Sequence, residues 1–225
     1  MNFIENRNTG MDSDEFGADI AITTQENIVR QAYRAMDEAA ARGLEKLSSE
    51  DGIVPTCKPG CYHCCRFHIL TNIAEARTLA QYIKRELSEE QINDLRMRTQ
   101  QWHAWDNSRP GRYPSDNIDC KTDLSNYIHY CPLLVNGACI VYPVRPGVCR
   151  THFVCSHPLF CLAANDPLST EEPPVVLKSI LKLTSPFSMP IKDIIEKAGL
   201  DFSKSIMLLP QWLAIQMNWD FAIST

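Results

Sequence analysis

The sequence predicts a mainly α-helical domain with an irregular, loop-built, cysteine-rich core. Three observations carry that expectation. Several segments repeat apolar residues every three or four positions, between helix-start and helix-stop signals. Ten cysteines accompany 14 prolines and 9 glycines, so part of the chain should be irregular. A length of 225 residues with a hydrophobic fraction of 44% suits one domain with a sizeable core.

The elements follow in order. Residues 1–22 are largely polar and acidic, and are expected to form a flexible N-terminal segment. Residues 23–165 are expected to combine helices with both cysteine blocks. Residues 166–225 are expected to be a C-terminal helical extension packed on the same domain. From Thr24 to Leu47, the residues Ile28, Ala32, Ala35, Met36, Ala39 and Ala40 form one apolar helical face. Asn72 and Glu75 form a capping box for a second helix, in which Ala76, Leu79, Ala80 and Ile83 follow at helical spacing. Ser88 and Gln91 open a third helix, with Ile92, Leu95, Arg96 and Thr99 along one side, running towards Trp102 or Trp105. Residues 106–119 contain Pro110, Gly111 and Pro114 and read as a loop. Between Cys131 and Cys161 the prolines and glycines predict no sustained helix, only a short strand within 138–142. A helix from Pro190 should stop at Gly199. Another from Pro210 carries Trp212, Ile215 and Trp219, which are assigned to core packing.

The chemistry is expected in the cysteines. Cys57, Cys61, Cys64 and Cys65 fall within nine residues. Thiolate is a strong ligand for zinc and the usual ligand of iron–sulfur clusters. Cys61-x-x-Cys64 has the spacing of a metal knuckle, and Pro59-Gly60 supplies the turn before it. The adjacent side chains of Cys64 and Cys65 diverge in most backbone conformations. They therefore point to two irons of a cluster or to two separate sites, unless Cys65 is an unligated buried thiol. The second block adds Cys131, Cys139, Cys149 and Cys155, so closing a site requires the two blocks to fold together. His63, His152 and His157 are second-choice ligands, and Cys120 and Cys161 are expected to be ordinary buried thiols.

Charge usage points the same way. No acid lies between Asp51 and Glu75 or between Asp123 and Asp166, whereas Lys58, Arg66, Arg145 and Arg150 do lie there. Carboxylates would repel a thiolate-bound metal, whose net charge is negative, and arginines would offset it. The formal net charge of −5 argues against a general nucleic-acid or membrane-surface partner. No apolar run approaches the roughly 20 residues that span a bilayer. No secretory leader is visible, so the expectation is a cytoplasmic protein with reduced thiols.

The pattern C-x3-C-x2-C-C, followed by C-P-L-L-x3-A-C-I-x-Y-x2-R-P-x2-C-R and a further Cys, resembles the YkgJ-type cysteine-cluster family. It covers about residues 50 to 160. That family is described as a zinc- or iron-chelating domain. The resemblance implies a metal centre built from Cys57, Cys61, Cys64, Cys65, Cys131, Cys139, Cys149 and Cys155, and it implies no reaction. A similar segment occurs in flagellin lysine N-methylases, with an iron–sulfur cluster. The functional expectation is a metal-binding protein holding an iron–sulfur cluster or zinc. The alternatives are a radical or redox enzyme using the cluster, methyl transfer included, or a zinc or iron storage, delivery or sensing protein. A purely structural thiol-rich fold is the bland alternative. The spacing of Cys57, Cys61 and Cys64 matches radical S-adenosylmethionine enzymes, but no Gly-rich cofactor loop accompanies it.

Overall fold

The computed structural model describes residues 22–58, 60–108, 129–164, 166 and 169–221. The expected N-terminal segment lies almost wholly outside them, as does Cys120. The fold is mainly helical. Helix α1 (Ile22–Asp51) is followed by β1 (Leu70–Thr71), α2 (Ile73–Glu86), α3 (Glu89–Ser108), β2 (Leu134–Val135) and β3 (Ala138–Cys139). Then come α4 (Gly147–Thr151), α5 (Pro158–Ala163), α6 (Lys178–Thr184), α7 (Met189–Lys197), β4 (Met207–Leu208) and α8 (Leu209–Gln216).

The Asn72 cap and the full Ser88–Gln91 capping box both form. The Glu75 N–H donates to Asn72 Oδ1 at 3.0 Å. The Gln91 N–H donates to Ser88 Oγ at 3.2 Å, and the Ser88 N–H donates back to Gln91 Oε1 at 2.9 Å. These bonds satisfy N–H groups that the first turn of a helix leaves without a partner. The buried stripe of α1 is shifted from the expected face. Val29 and Tyr33 join Ala32, Met36, Ala39 and Ala40 inside, while Ile28 and Ala35 sit at its edge. The shift occurs because α1 is clasped by α2, α4, α6 and α7 together, so more than one side of it is covered.

The second cysteine block departs from expectation. Two short helices, α4 and α5, form inside it. Each begins with a proline at its start: Pro146 is the N-cap of α4 and Pro158 opens α5. At that position the missing N–H costs nothing, so proline starts a helix there rather than breaking one. The expected strand shrinks to Ala138–Cys139, paired antiparallel with β2 through Leu134↔Cys139 and Val135↔Ala138. Asn136 and Gly137 close this hairpin with φ of 50° and 77°. Two successive positive φ values define the tight turn that matches strand twist, and glycine adopts them without steric cost. Helix α3 runs through Ser108, three residues into the expected loop, and the remainder of that loop lies outside the described residues.

One core joins Val29, Ala32, Tyr33 and Met36 of α1 to Ile73, Ala74 and Ala76 of α2, to Ile191, Ile194 and Ile195 of α7, and to Trp212 of α8. The C-terminal helices thus pack on the same core as α1. A second cluster joins α2, α3 and α8 to Leu133, Val141 and Val144, with Cys131 and Cys139 packed against it. Trp212 is fully buried, and its Nε1–H lies 3.1 Å from the Thr71 carbonyl and 3.2 Å from that of Ser205. Its indole therefore sits at the β1–β4 pairing, as the core-packing assignment expected. No helix among the described residues is long and apolar enough to cross a membrane.

Trp212→Ala should cost about 3–5 kcal/mol, read as a lowered urea midpoint. A pH-dependent test comes from Glu26. Burial raises its pKa, but Arg30 at 2.7 Å and Arg85 at 3.3 Å outweigh burial and lower it overall. A carboxylate lowered in the folded state adds stability above its unfolded pKa, and that contribution is lost as pH falls through the folded value. Glu26→Gln should be less stable than wild type near neutrality. The gap between their urea midpoints should close on acidification.

Candidate metal centre

Hydrogen bonds place the first cysteine run on the second block. The Thr56 N–H donates to the Val154 carbonyl at 2.9 Å, and its hydroxyl donates to the Ser156 carbonyl at 2.6 Å. Cys57 Sγ accepts the Val154 N–H at 3.4 Å. The Cys61 N–H closes a turn on the Lys58 carbonyl at 3.0 Å. Cys64 and Cys65 lie in a single turn of 3-10 helix, His63–Arg66. The Cys65 carbonyl accepts the Cys131 N–H at 2.7 Å. Arg66 Nη1 donates to the Leu162 carbonyl at 2.5 Å, and its guanidinium lies 5.7 Å from the centre of the Tyr130 ring. Tyr62 packs over Gly137 at the hairpin tip.

The thiols act on one another. Cys64 is pushed down to about 7, first by a hydrogen bond with the Cys65 thiol, then by its own backbone N–H and by Arg145. Cys65 moves strongly upward, first because it is the partner that keeps its proton, then through burial and the nearby Cys131, Cys64 and Cys139. Burial is the largest cause for the others. It raises Cys57, pushes Cys131 up to about 12, raises Cys139, and holds Cys149 well above the ordinary thiol range. Neighbouring sulfurs add to each: Cys61 and Cys64 on Cys57, Cys139 and Cys64 on Cys131, Cys64 on Cys139, and Cys131, Cys64 and Cys139 on Cys149. Seven of the eight expected sulfurs thus share one electrostatic neighbourhood. The eighth, Cys155, turns its Sγ towards the Val175 carbonyl at 3.7 Å and packs on a small cluster of Ala40, Leu177 and Ile180.

None of the nine described cysteines is in a disulfide. Among the described residues, no three His, Cys, Asp or Glu side chains form a group arranged to hold a metal ion. The donor set nevertheless fits a thiophilic metal. Two flanking imidazole nitrogens, His63 Nδ1 and His152 Nε2, are buried and meet no hydrogen-bond partner among the described residues. Burial also lowers the pKa of His152, favouring the neutral ring that ligates metals. His157 is engaged elsewhere, since its Nδ1 accepts the Leu159 N–H at the start of α5.

A charged framework holds the second block, and its details were not foreseen. The Glu75 carboxylate is 8% exposed and accepts four hydrogen bonds. Tyr33 Oη at 3.0 Å and the Gly147 N–H at 2.7 Å reach Oε1. Thr71 Oγ1 at 3.0 Å and Asn72 Nδ2 at 2.7 Å reach Oε2. A Cβ on Gly147 would stand 3.3 Å from both Glu75 Oε1 and Met36 Sδ, so the close approach favours glycine. Arg150 was expected to offset sulfur charge, and it does favour the thiolate of Cys139. Its hydrogen bonds go elsewhere: Nη1 to Asp37 at 2.5 Å, Nε to the Arg145 carbonyl at 2.9 Å, and Nη2 to the Pro143 carbonyl. Its guanidinium also lies 4.1 Å from the centre of the Tyr33 ring. Arg145 stacks on Tyr142 at 3.7 Å and favours the thiolates of Cys64 and Cys139.

Sequence reasoning read Glu75 only as a helix cap, because two of its other donors, Tyr33 and the Gly147 N–H, come from α1 and α4, far along the chain. The Asn136-Gly137 dipeptide was a usable hairpin signal that went unread.

No protein-family profile, curated protein or solved structure matches this chain.

Glu75→Gln should destabilise the protein by about 3 kcal/mol, because an amide cannot accept from all four donors and leaves buried groups unsatisfied. A lowered urea midpoint with an unchanged slope would show it.

Proposed function

We propose that this chain is a metal-binding protein whose clustered cysteines hold an iron–sulfur cluster or zinc. The carrying observation is the set Cys57, Cys61, Cys64, Cys65, Cys131, Cys139 and Cys149. These are free thiols from segments distant in sequence, and each lies close enough to others to share their electrostatic field. Adjacent Cys64 and Cys65 suit more than one metal position, which favours a cluster over a single zinc ion. A bound metal would cross-link the two blocks, and a cluster would add one-electron chemistry.

The chain's own residues supply the frame. Glu75 anchors the start of α4, the helix that carries Cys149. Arg150 ties that helix to α1 through Asp37, and Arg145 offsets thiolate charge at Cys64 and Cys139. This many free thiols suits a reducing, cytoplasmic setting. Catalysis with the cluster, and zinc or iron storage, delivery or sensing, are the alternative uses of the same site.

Protein purified without oxygen should contain stoichiometric metal. Iron with acid-labile sulfide and a brown colour identifies a cluster, whereas zinc alone leaves the protein colourless. Metal well below one equivalent per chain would overturn the reading. Cys61→Ser should lower metal content and solubility together, measured by elemental analysis of the soluble fraction.

A further inference from the structure

Cys64 and Cys65 are neighbours in the sequence, and their side chains were expected to diverge. The structure brings them together instead, with the Cys65 thiol donating a hydrogen bond to the Cys64 sulfur. Both thiols are reduced and only half-buried, so a small oxidant can reach them. Among the described residues no three ligating side chains are arranged around an ion, whereas these two sulfurs already meet.

The 3-10 turn that carries them is held from within and from outside. The Cys65 N–H donates to the Tyr62 carbonyl at 2.9 Å, and the Phe67 N–H donates to the Cys64 carbonyl at 3.0 Å. The Cys131 N–H donates to the Cys65 carbonyl at 2.7 Å, and Arg66 is fixed to the Leu162 carbonyl at 2.5 Å. Other cysteines stand on segments with anchors of their own. Cys61 closes a turn on Lys58, Cys57 Sγ takes the Val154 N–H, and Cys139 is paired in the β2–β3 hairpin. A bond to any of these would shift a separately held segment, while a bond between Cys64 and Cys65 alters one turn alone.

We propose that Cys64 and Cys65 form a redox-active dithiol, which hydrogen peroxide converts into a disulfide between the two neighbours. This goes beyond the metal-binding reading, because it needs only the two sulfurs. Where metal is bound, ligation and oxidation compete for the same pair. In the first step one sulfur attacks a peroxide oxygen. The S–O bond forms as the O–O bond breaks, the thiol proton passes to the departing oxygen, and water leaves a sulfenic acid behind. In the second step the neighbouring sulfur attacks the sulfenic sulfur. The S–S bond forms, the S–O bond breaks, and the second thiol proton departs with the hydroxide as water. Two electrons pass in total from the thiols to the peroxide. Consecutive Cα atoms are about 3.8 Å apart, below the ~5.5–6 Å usual across a disulfide, so the product is strained and readily reduced. Strained disulfides are the labile, regulatory kind.

The test uses the full chain purified without oxygen, both as isolated and after treatment with a chelator, while helical circular dichroism follows its folding. Hydrogen peroxide is added in steps, free thiols are counted, and the remaining thiols are alkylated before peptide mapping. In both samples the first disulfide to appear should join Cys64 to Cys65, with the loss of about two thiols per peroxide consumed. Reduced glutathione should restore both thiols. Cys65→Ser should lose this disulfide, and dimedone should then trap Cys64 as a sulfenic acid. A first disulfide that joins either residue to another cysteine overturns the proposal, as does a Cys64 and Cys65 pair that stays reduced while other thiols are lost. A Cys65→Ser chain that loses two thiols per peroxide as wild type does would also sink it. Metal content on purification decides the metal-binding reading alone, so the two failures are distinguishable.

Discussion

The Glu75 carboxylate gathers donors from three parts of the chain: Tyr33 of α1, Thr71 and Asn72 of the β1–α2 stretch that carries Glu75 itself, and the backbone of Gly147 at the start of α4. A buried carboxylate is costly unless it is hydrogen-bonded, and here every donor is supplied by the fold. Correct assembly of all three parts is therefore a condition for burying this group. The same contacts set where α4 begins, and with it the position of Cys149. Arg150 extends the arrangement on the opposite charge. It is nearly fully buried, bonded to Asp37 and to two carbonyls, and stacked on the same Tyr33 whose hydroxyl meets Glu75. A tyrosine of α1 thus stands between a buried anion and a buried cation, both of which hold the second cysteine block.

This frame lets reactive sulfur sit beside a carboxylate. Glu75 adds to the upward shift of Cys149, so one acid does approach the sulfurs despite the acid-free stretches of sequence. Four donors spread its charge. The thiols themselves are uneven in character. Cys64 is the most readily ionised of the shifted set because Cys65 donates to it, while the deeper sulfurs retain protons through burial. A metal arriving at such a group would find one thiolate ready and would displace protons from the rest.

Much of the helical frame was legible in the sequence. Asn72 with Glu75 and Ser88 with Gln91 are local devices, each completed within four residues, so neighbouring residue types alone announce their hydrogen bonds. The apolar stripe of α2 was likewise plain, because Ala76, Leu79, Ala80 and Ile83 face one covered side. The stripe of α1 was harder to read, since burial on several sides drew in Tyr33, a residue with a polar tip that its neighbours satisfy. Pro146 and Pro158 were read as breakers although each starts a short helix. A proline's role depends on which side of it the helix lies, and in helices this brief there is little periodicity to reveal that side.

Composition and spacing by themselves determined a helical protein with sulfur concentrated in two blocks, because capping, periodicity and clustering are properties of neighbouring residues. The tertiary structure decided which sulfurs became neighbours. Cys155 follows the motif yet turns towards Val175, whereas Cys161 lies off the motif and is carried by α5 onto the turn of Cys64. It also decided that Arg150 would bind Asp37, a partner separated by 113 residues. Such pairings depend on how distant segments pack, and no local pattern of residues encodes the direction a side chain faces once those segments have met.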